Sequence, residues 1–215
     1  MTTRKCYHHG DLREALLVAA EEQLRDEGPA GLSLRKLGRN LGVTPGAPYR
    51  HFEDKDALLA ALATIGFQRL RAMMLEEQKG CTTGKDRLRR GGIGYLKFAW
   101  QHPELFRLMF GWMPTREAPE LAESGDAAFA VLVDMLQQCG REGLLRQTAL
   151  DAGLLAWSAV HGAAFLMIDD GLRLCGTEPD PEVVGDRLHQ SVWSGIARHP
   201  VSVETDKESQ ASTSV

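Results

Sequence analysis

Residues 33–52, SLRKLGRNLGVTPGAPYRHF, have the pattern of a helix, a tight turn and a second helix. Ser33 is a good N-cap, because its hydroxyl can accept a hydrogen bond from a free N–H of the first turn. Gly42 is a good C-terminal residue, because glycine readily adopts the left-handed conformation found just past a helix end. The apolar residues of the first helix recur on one face at helical spacing: Leu34, Leu37 and Leu41.

The second helix is predicted to begin with Thr44 as N-cap and Pro45 at the first helical position. Two short helices joined by such a turn form a helix-turn-helix, whose second helix enters the major groove of DNA. Pro48 departs from this pattern, since it has no N–H for the Thr44 carbonyl and its ring crowds that carbonyl. The second helix is therefore expected to start irregularly.

Length and composition indicate one or two packed units of an ordinary cytoplasmic protein. The chain has 215 residues, of which 43% are hydrophobic and 25% charged. We find no uninterrupted apolar run of the roughly 20 residues that cross a bilayer, and no apolar signal-peptide core. The four cysteines show no C-x-x-C spacing, so we expect reduced thiols and neither a zinc site nor a disulfide framework: Cys6, Cys81, Cys139 and Cys175.

The charge is distributed unevenly along the chain. The net charge is −4, but residues 1–55 hold 9 Lys+Arg against 8 Asp+Glu, a net charge of +1, whereas the rest holds 16 against 21. Any contact with DNA therefore depends on a local basic face and not on a strongly cationic domain.

The rest of the chain shows helical periodicity and no alternation typical of strands, so we predict an all-α fold. A first helix starts at a capping pattern, Asp11 with Glu14, and ends near Gly28. Asp54 is predicted to cap a long connecting helix that extends to about Gln78. Further helices are predicted at residues 85–101, 103–111, 118–140, 149–172 and 181–198.

Three glycines, Gly91, Gly92 and Gly94, lie inside the helix predicted at residues 85–101. Each costs about 1 kcal/mol relative to alanine in a helix interior. They would allow either close packing of a neighbouring helix or room beside a ligand, and the sequence leaves both alternatives open.

The order of these segments, with specific residues in them, resembles the TetR (tetracycline-repressor-type) family of transcriptional regulators. The resemblance is carried by YHHGDLREALL at residues 7–17 and by GLSLRKLGRNLGVTPGAPYRHFEDKDALL at residues 31–59. YLKFAWQHPELFRLMFG at residues 95–111, with Trp157, His161 and Gly162, resembles the Trp-His-Gly type of C-terminal domain in that family.

The resemblance implies four parts. These are a basic arm at residues 1–9, a helix-turn-helix domain at 10–70, an effector-binding and dimerisation domain at 71–200, and a disordered tail at 201–215. The tail composition agrees, because it is polar and has too few apolar residues to form a core.

DNA-contacting residues follow from the same resemblance. Thr44, Tyr49, His51 and Lys55 occupy positions that usually contact phosphates. A helix N-terminus with free N–H groups favours phosphate there. Arg50 is the side chain best able to read guanine with two hydrogen bonds, and the small residues would allow close approach to thymine. Positions near base edges or backbone are Arg35, Pro45, Gly46, Ala47 and Arg50.

A small apolar or amphipathic effector is expected in the C-terminal domain, because aromatic residues and methionines are dense near the glycines. His161 shares a helical face with Trp157 and Phe165, so it would either line the effector site or be a hydrogen-bonded core or interface histidine. For the other candidate effector residues, the alternative is that they belong to an ordinary hydrophobic core. The candidate effector residues are Tyr95, Trp100, Phe106, Met109, Phe110, Trp112, Phe129, Trp157, His161 and Phe165.

The last two long helices carry apolar stripes that fit either a dimer interface or the core of one subunit. A homodimer is favoured because two recognition helices about 34 Å apart can read one face of a palindromic DNA site. The stripes consist of Leu154, Leu155, Val160, Ala163 and Ala164, and of Val184, Leu188, Val192 and Ile196.

We therefore predict a homodimeric DNA-binding regulator, released as a repressor from a palindromic operator by its effector. No nucleophile-elbow, zinc-protease or paired-carboxylate pattern indicates catalysis, and no metal or cofactor is expected. The competing interpretation is a helical ligand-binding or enzymatic protein in which the helix-turn-helix is only a scaffold.

Overall fold

The computed structural model describes residues 9–174 and 176–198, and in these ranges all regular elements are helices. The predicted all-α fold is confirmed. The helices are α1 (His9–Gly31), α2 (Leu34–Asn40), a 3₁₀ helix (Pro48–Arg50), α3 (Lys55–Glu77), α4 (Gly84–Gln101), α5 (Pro103–Gly111), α6 (Pro119–Arg141), α7 (Ala149–Ile168), α8 (Gly171–Leu174) and α9 (Pro181–Ile196).

The first three helical elements and the start of α3 form the N-terminal unit. Its core is made of leucines from α1, α2 and α3 together with Phe52, and Phe52 is 3% exposed. Burying such a side chain stabilises the fold by about 1.5–3 kcal/mol. The fully or almost fully buried leucines are Leu16, Leu24, Leu34, Leu37, Leu58 and Leu62.

The caps of this unit follow the sequence. The Ser33 hydroxyl accepts a hydrogen bond from the Lys36 N–H at 3.4 Å. The Asp54 carboxylate accepts one from the Ala57 N–H at 2.9 Å, which confirms the predicted start of the connecting helix α3. Gly42 has φ of 68°, the left-handed conformation that ends α2.

The prediction of an α-helix that starts at Pro45 is wrong. The Thr44 carbonyl accepts a hydrogen bond from the Ala47 N–H at 3.0 Å, which closes a tight turn, and the 3₁₀ helix follows at Pro48–Arg50. The reason is Pro48, which has no N–H to continue an α-helical ladder from Thr44. Pro48 instead occupies the first position of the 3₁₀ helix, where a missing N–H costs nothing.

Pro48 also joins the two halves of the motif by packing. It is buried, and an added Cβ at Gly38 of α2 would lie 2.8 Å from the Pro48 Cγ. The absence of a side chain at Gly38 therefore allows the Pro48 ring to lie directly on α2.

The C-terminal body is built around α3 and α4. The α3 helix packs along α4, α5 and α6, and α4 also contacts α7 and α9. The fully buried aromatic residues Phe98 and Phe106 lie in this core. Because α3 belongs to both units, it connects the helix-turn-helix to the body without a break.

The α4 glycines serve both of the purposes that the sequence left open. A Cβ at Gly94 would lie 2.9 Å from the Met73 carbonyl oxygen, so Gly94 allows close packing of α3 on α4. A Cβ at Gly91 would lie 2.5 Å from the Met135 sulfur of α6. Gly92 has no atom within 4 Å of such a Cβ and borders a cavity.

Helix boundaries agree with the sequence predictions within two residues for α4, α5, α6 and α9. α1 is different, because it begins at His9 before the expected cap and kinks at Gly28, where φ is 66°. α7 ends at Ile168, four residues earlier than expected, and Asp170 has a left-handed φ of 57°. Residues 1–8 of the predicted arm and the tail from residue 201 lie outside the described residues, as do Cys6 and Cys175.

Although the sequence has no uninterrupted apolar run of about 20 residues, two helices are long and apolar enough on average to cross a bilayer. An 18-residue window of α3 has a mean hydropathy of 1.3, and one of α7 has 1.4. The window of α3 is 44% buried within the chain, and the window of α7 is 28% buried. α3 is a core helix of the bundle, whereas α7 leaves much of its apolar surface uncovered.

Candidate DNA interface and ligand cavity

The turn and the 3₁₀ helix present an exposed surface opposite the core of the N-terminal unit. Thr44, Pro45 and Gly46 are exposed in the turn, and the Tyr49 side chain is 45% exposed. Ala47 and His51 are half-buried. The residues predicted to contact DNA on this segment therefore lie together on one accessible stretch.

Three guanidinium groups add positive charge to the motif. Arg35 and Arg39 lie four residues apart on α2, and Arg50 lies on the 3₁₀ helix; all three are exposed. Among the described residues, no carboxylate lies within 4 Å of any of them, whereas the neighbouring Lys36 pairs with Glu27. These cations are available to phosphates, and Arg39 is a further candidate beyond the contacts predicted from the sequence.

Lys55 is more constrained than the other predicted contacts. It is half-buried at the start of α3, and its Nζ donates a hydrogen bond to the Ala30 carbonyl of α1 at 2.9 Å. Its ammonium group thus connects the end of α1 to the start of α3.

A cavity of about 460 Å³ lies in the C-terminal body between α3, α4, α6, α7 and α9, with Phe110 of α5 in its wall. Its size is within the range of small-molecule sites. The wall is almost entirely apolar or aromatic. It includes Phe67, Leu70, Met74, Leu88, Gly92, Tyr95, Phe110, Phe129, Leu132, Met135, Trp157, Leu188 and Val192.

The Tyr95 hydroxyl is hydrogen-bonded to Nδ1 of His161 at 2.8 Å. Burial raises the pKa of Tyr95 and lowers that of His161, so both groups are neutral at pH 7. The His161 ring is surrounded by aromatic rings, with the Phe110 and Phe165 centroids 4.6 Å and 5.0 Å away. His161 therefore orients Tyr95 from behind the cavity wall.

His189 of α9 lies in the wall itself, and its imidazole is also neutral. Burial lowers its pKa to about 4, and the positive charges of Lys85 and Arg89 act in the same direction. The ring stacks on Trp193 with centroids 5.7 Å apart.

Comparison with known proteins identifies both units. Residues 16–62 match the model of bacterial regulatory proteins of the tetR family, and residues 88–192 match that of the tetracyclin repressor-like C-terminal domain. The chain belongs to the TetR family of transcriptional regulators. It is a DNA-binding transcriptional regulator, which confirms the function and family predicted from the helix-turn-helix.

Solved structures share this TetR architecture. A protein of unknown function from Rhodococcus sp. RHA1 is 34% identical, with a TM-score of 0.80, covering 91% of this chain and 100% of its own. A bacterial regulatory protein in the tetR family from Rhodococcus RHA1 is 17% identical, with a TM-score of 0.68 and coverages of 87% and 98%. Superantigen PfiT is 18% identical, with a TM-score of 0.70 and coverages of 90% and 100%. The last two show the fold alone, so the function of this TetR-family chain rests on its family models.

Four of the predicted effector residues of the TetR chain line the cavity: Tyr95, Phe110, Phe129 and Trp157. The other six lie elsewhere. Phe106 and Met109 are core residues, and Met109 packs against Gly66 of α3. Trp100 is 41% exposed, and Trp112, His161 and Phe165 are half-buried outside the wall. Aromatic character alone did not separate core positions from wall positions.

The sequence did not predict the walls supplied by α3 and α9, and on α6 it predicted only Phe129. The spacing of Gly185, Leu188, His189 and Val192 places one face of α9 along the cavity. The dimer stripe predicted for α9 therefore points inward, since Val184, Val192 and Ile196 are at most 9% exposed. Ala163 and Ala164 of α7 are buried in the same way.

Two other members of the predicted α7 stripe, Leu154 and Leu155, lie on an uncovered side of this helix. Leu150 is 79% exposed, Leu154 66% and Leu166 51%, and Val183 at the start of α9 is 47% exposed. Single exposed apolar residues are ordinary, but several on one apolar helix indicate an interaction surface.

No group of three or more His, Cys, Asp or Glu that could hold a metal ion occurs among the described residues. Cys81 and Cys139 are free thiols, and burial raises the pKa of Cys139 to about 11, so its thiol is protonated.

Proposed function

We propose that this regulator is a homodimeric repressor that leaves a palindromic operator when a small apolar or amphipathic molecule fills the cavity. It would act in the cytoplasm, where it meets the chromosome, and without catalysing a reaction. The supporting observation is that one helix belongs to both the cavity and the DNA-reading unit.

That helix is α3. It begins at Lys55, three residues after the helix-turn-helix ends at Phe52, and its later turns place Phe67, Leu70 and Met74 in the cavity wall. A ligand that moves these side chains also moves the N-terminal end of α3. The spacing of two recognition segments in a dimer would then no longer match successive major grooves.

The ligand can shift this equilibrium only through different affinities for the DNA-bound and released conformations. A coupling of 1–3 kcal/mol, typical of allosteric proteins, would change DNA affinity by about 5- to 150-fold. The apolar wall suits such an effector, because filling the cavity removes apolar surface from water.

On the DNA side, we propose that Thr44, Tyr49, His51 and Lys55 contact phosphates. Arg50 would read bases together with the surface of Pro45, Gly46 and Ala47, and Arg35 would contact DNA from α2. The exposure of the turn, of Tyr49 and of both arginines supports these roles. Lys55 would have to exchange its hydrogen bond to Ala30 for a phosphate, or reach one while keeping that bond.

A homodimer is supported by the uncovered leucines of α7. Leu150, Leu154 and Leu166 would bury their side chains against the same surface of a second copy, as twofold symmetry requires. Such a dimer also presents two reading units to one palindromic site.

The proposal is tested by selecting bound fragments from genomic DNA, including the promoter region of the regulator itself, at low salt. The double substitution Tyr49→Ala with Lys55→Ala should weaken binding and make it less salt-dependent, because fewer phosphates are neutralised. Lys79→Ala, beyond the far end of α3, is the matched control and should leave the salt dependence unchanged. Failure of the unaltered protein to bind any fragment would contradict the proposal.

A further inference from the structure

We propose that the effector is an amphipathic cation, with its apolar body in the cavity and its positive group at the mouth beside Asp126. This inference rests on the proposed function, because it specifies the ligand of the same cavity.

The mouth is defined by the exposed residues of the wall. Asp126, Phe129 and Trp157 are exposed, whereas every other lining residue is buried or half-buried. Asp126 and Phe129 lie three residues apart on α6, so they share one face of that helix. A ligand too long for the closed part of the cavity would place its end group among these three side chains.

The charge of Asp126 is uncompensated within the described residues. No Lys, Arg or His nitrogen lies within 4 Å of its carboxylate, whereas the other charged lining residue, Arg89, is neutralised. The Arg89 guanidinium donates to both oxygens of Asp186, at 2.7 Å and 2.8 Å. The mouth therefore carries one negative charge that a cation can pair with.

The aromatic residues of the mouth favour the same group. The Phe129 and Trp157 rings meet edge to face, with centroids 5.6 Å apart. Ring faces attract ammonium groups, and tryptophan does so most strongly. An apolar cavity, two aromatic rings and one carboxylate together form a site for an alkylammonium or arylammonium compound.

Other ligand charges fit less well. An anion would meet Asp126 at the mouth, and Arg89 of the wall already holds a carboxylate. His189 offers no positive charge at pH 7, because burial keeps its imidazole neutral. An uncharged amphiphile would remove water from the carboxylate without replacing that interaction.

Three probes with the same tail test the inference: decyltrimethylammonium, decan-1-ol and decyl sulfate. Calorimetric titration of the full chain should show the cation binding about tenfold more tightly than the alcohol, and the sulfate more weakly than either. In Asp126→Asn, the advantage of the cation over the alcohol should shrink to about twofold or less. Asp126→Glu should retain it.

Glu123→Gln is the matched control, because Glu123 is an exposed carboxylate on the same helix outside the cavity wall. It should keep the preference for the cation. The inference would be overturned if cation and alcohol bound equally well, or if Asp126→Asn kept the full preference for the cation. Either result would still agree with the proposed function, in which the cavity binds an effector. If none of the probes binds, the inference is overturned as well. DNA binding by the same sample, measured separately, shows whether the regulator function itself stands.

Discussion

At the scale of single residues, His189 makes the stability of the regulator depend on pH. Its unfolded pKa is near 6.5 and burial lowers the folded pKa to about 4, so the unfolded state binds more protons between these values. Its contribution to the free energy of unfolding is therefore complete above pH 6.5 and falls as the pH is lowered towards 4. Asp186 and Asp86 oppose this shift, whereas Lys85 and Arg89 reinforce it.

We predict that His189→Asn flattens this dependence. The wild-type melting temperature should fall between pH 7 and pH 4.5 more steeply than that of the variant, as measured by circular dichroism. Burial also lowers the pKa of His102 and His161, so part of the slope should remain. Identical slopes for the two proteins would contradict the assignment to His189.

Gly38 allows the Pro48 ring to pack directly on α2, so Gly38→Ala should displace the 3₁₀ helix. The new Cβ would lie 2.8 Å from the Pro48 Cγ in a ring that cannot rotate away. Overpacking typically costs about 1–3 kcal/mol, against a gain of about 1 kcal/mol in helix propensity. We expect a small loss of stability in urea denaturation, with a larger loss of DNA affinity in a gel-shift assay. Gly92→Ala, with open space at its Cβ, should gain stability and retain DNA binding.

At the scale of helices, a charged cluster joins α3, α4 and α9. Glu77 of α3 pairs with Lys97 at 2.7 Å and with Arg90, both on α4. Glu182 of α9 pairs with Lys97 at 2.6 Å and with Arg90 at 3.0 Å. Hydrogen bonding from Lys97, followed by the charges of Lys97 and Arg90, lowers the pKa of Glu182.

Glu77→Gln should destabilise this junction, because the Glu77 side chain is only 15% exposed and its two cationic partners would lose a shared counter-ion. We expect a loss of about 1–3 kcal/mol in the free energy of unfolding. Glu76→Gln is the adjacent control: Glu76 is 66% exposed and pairs only with Lys79 among the described residues, so its loss should cost at most about 1 kcal/mol. Equal costs for the two variants would contradict a structural role for the cluster.

At the scale of the whole molecule, the uncovered apolar surface of α7 predicts that the protein forms a dimer. Leu154→Glu places a charge on a residue that is 66% exposed in one subunit, so the subunit itself should remain folded. In a dimer the carboxylate would be buried without a partner, which is strongly unfavourable. We expect a monomer in analytical ultracentrifugation and at least about tenfold weaker binding to a palindromic site.

Leu174→Glu, on α8 and 90% exposed, is the control for added charge and should keep both the dimer and its DNA affinity. A wild-type protein that sediments as a monomer, or a Leu154→Glu variant that remains a dimer, would contradict the α7 interface.

Much of the architecture was predictable because its signals are local. Ser33 and Asp54 cap their helices through hydrogen bonds that span three residues, and Gly42 ends α2 through its own backbone conformation. Pro48 predicted an irregular start of the second helix, but not that this segment would be a turn followed by a 3₁₀ helix.

The sequence by itself determined the all-helical fold, most helix boundaries and the helix-turn-helix with its exposed polar residues. Only the tertiary structure decided which apolar faces surround the cavity. Leu188 and Val192 have the same helical spacing whether they face a partner or a ligand, and Phe106 and Phe110 differ little as sequence signals. Their roles depend on which helices pack together and where a gap remains, and periodicity within one helix carries no information about either.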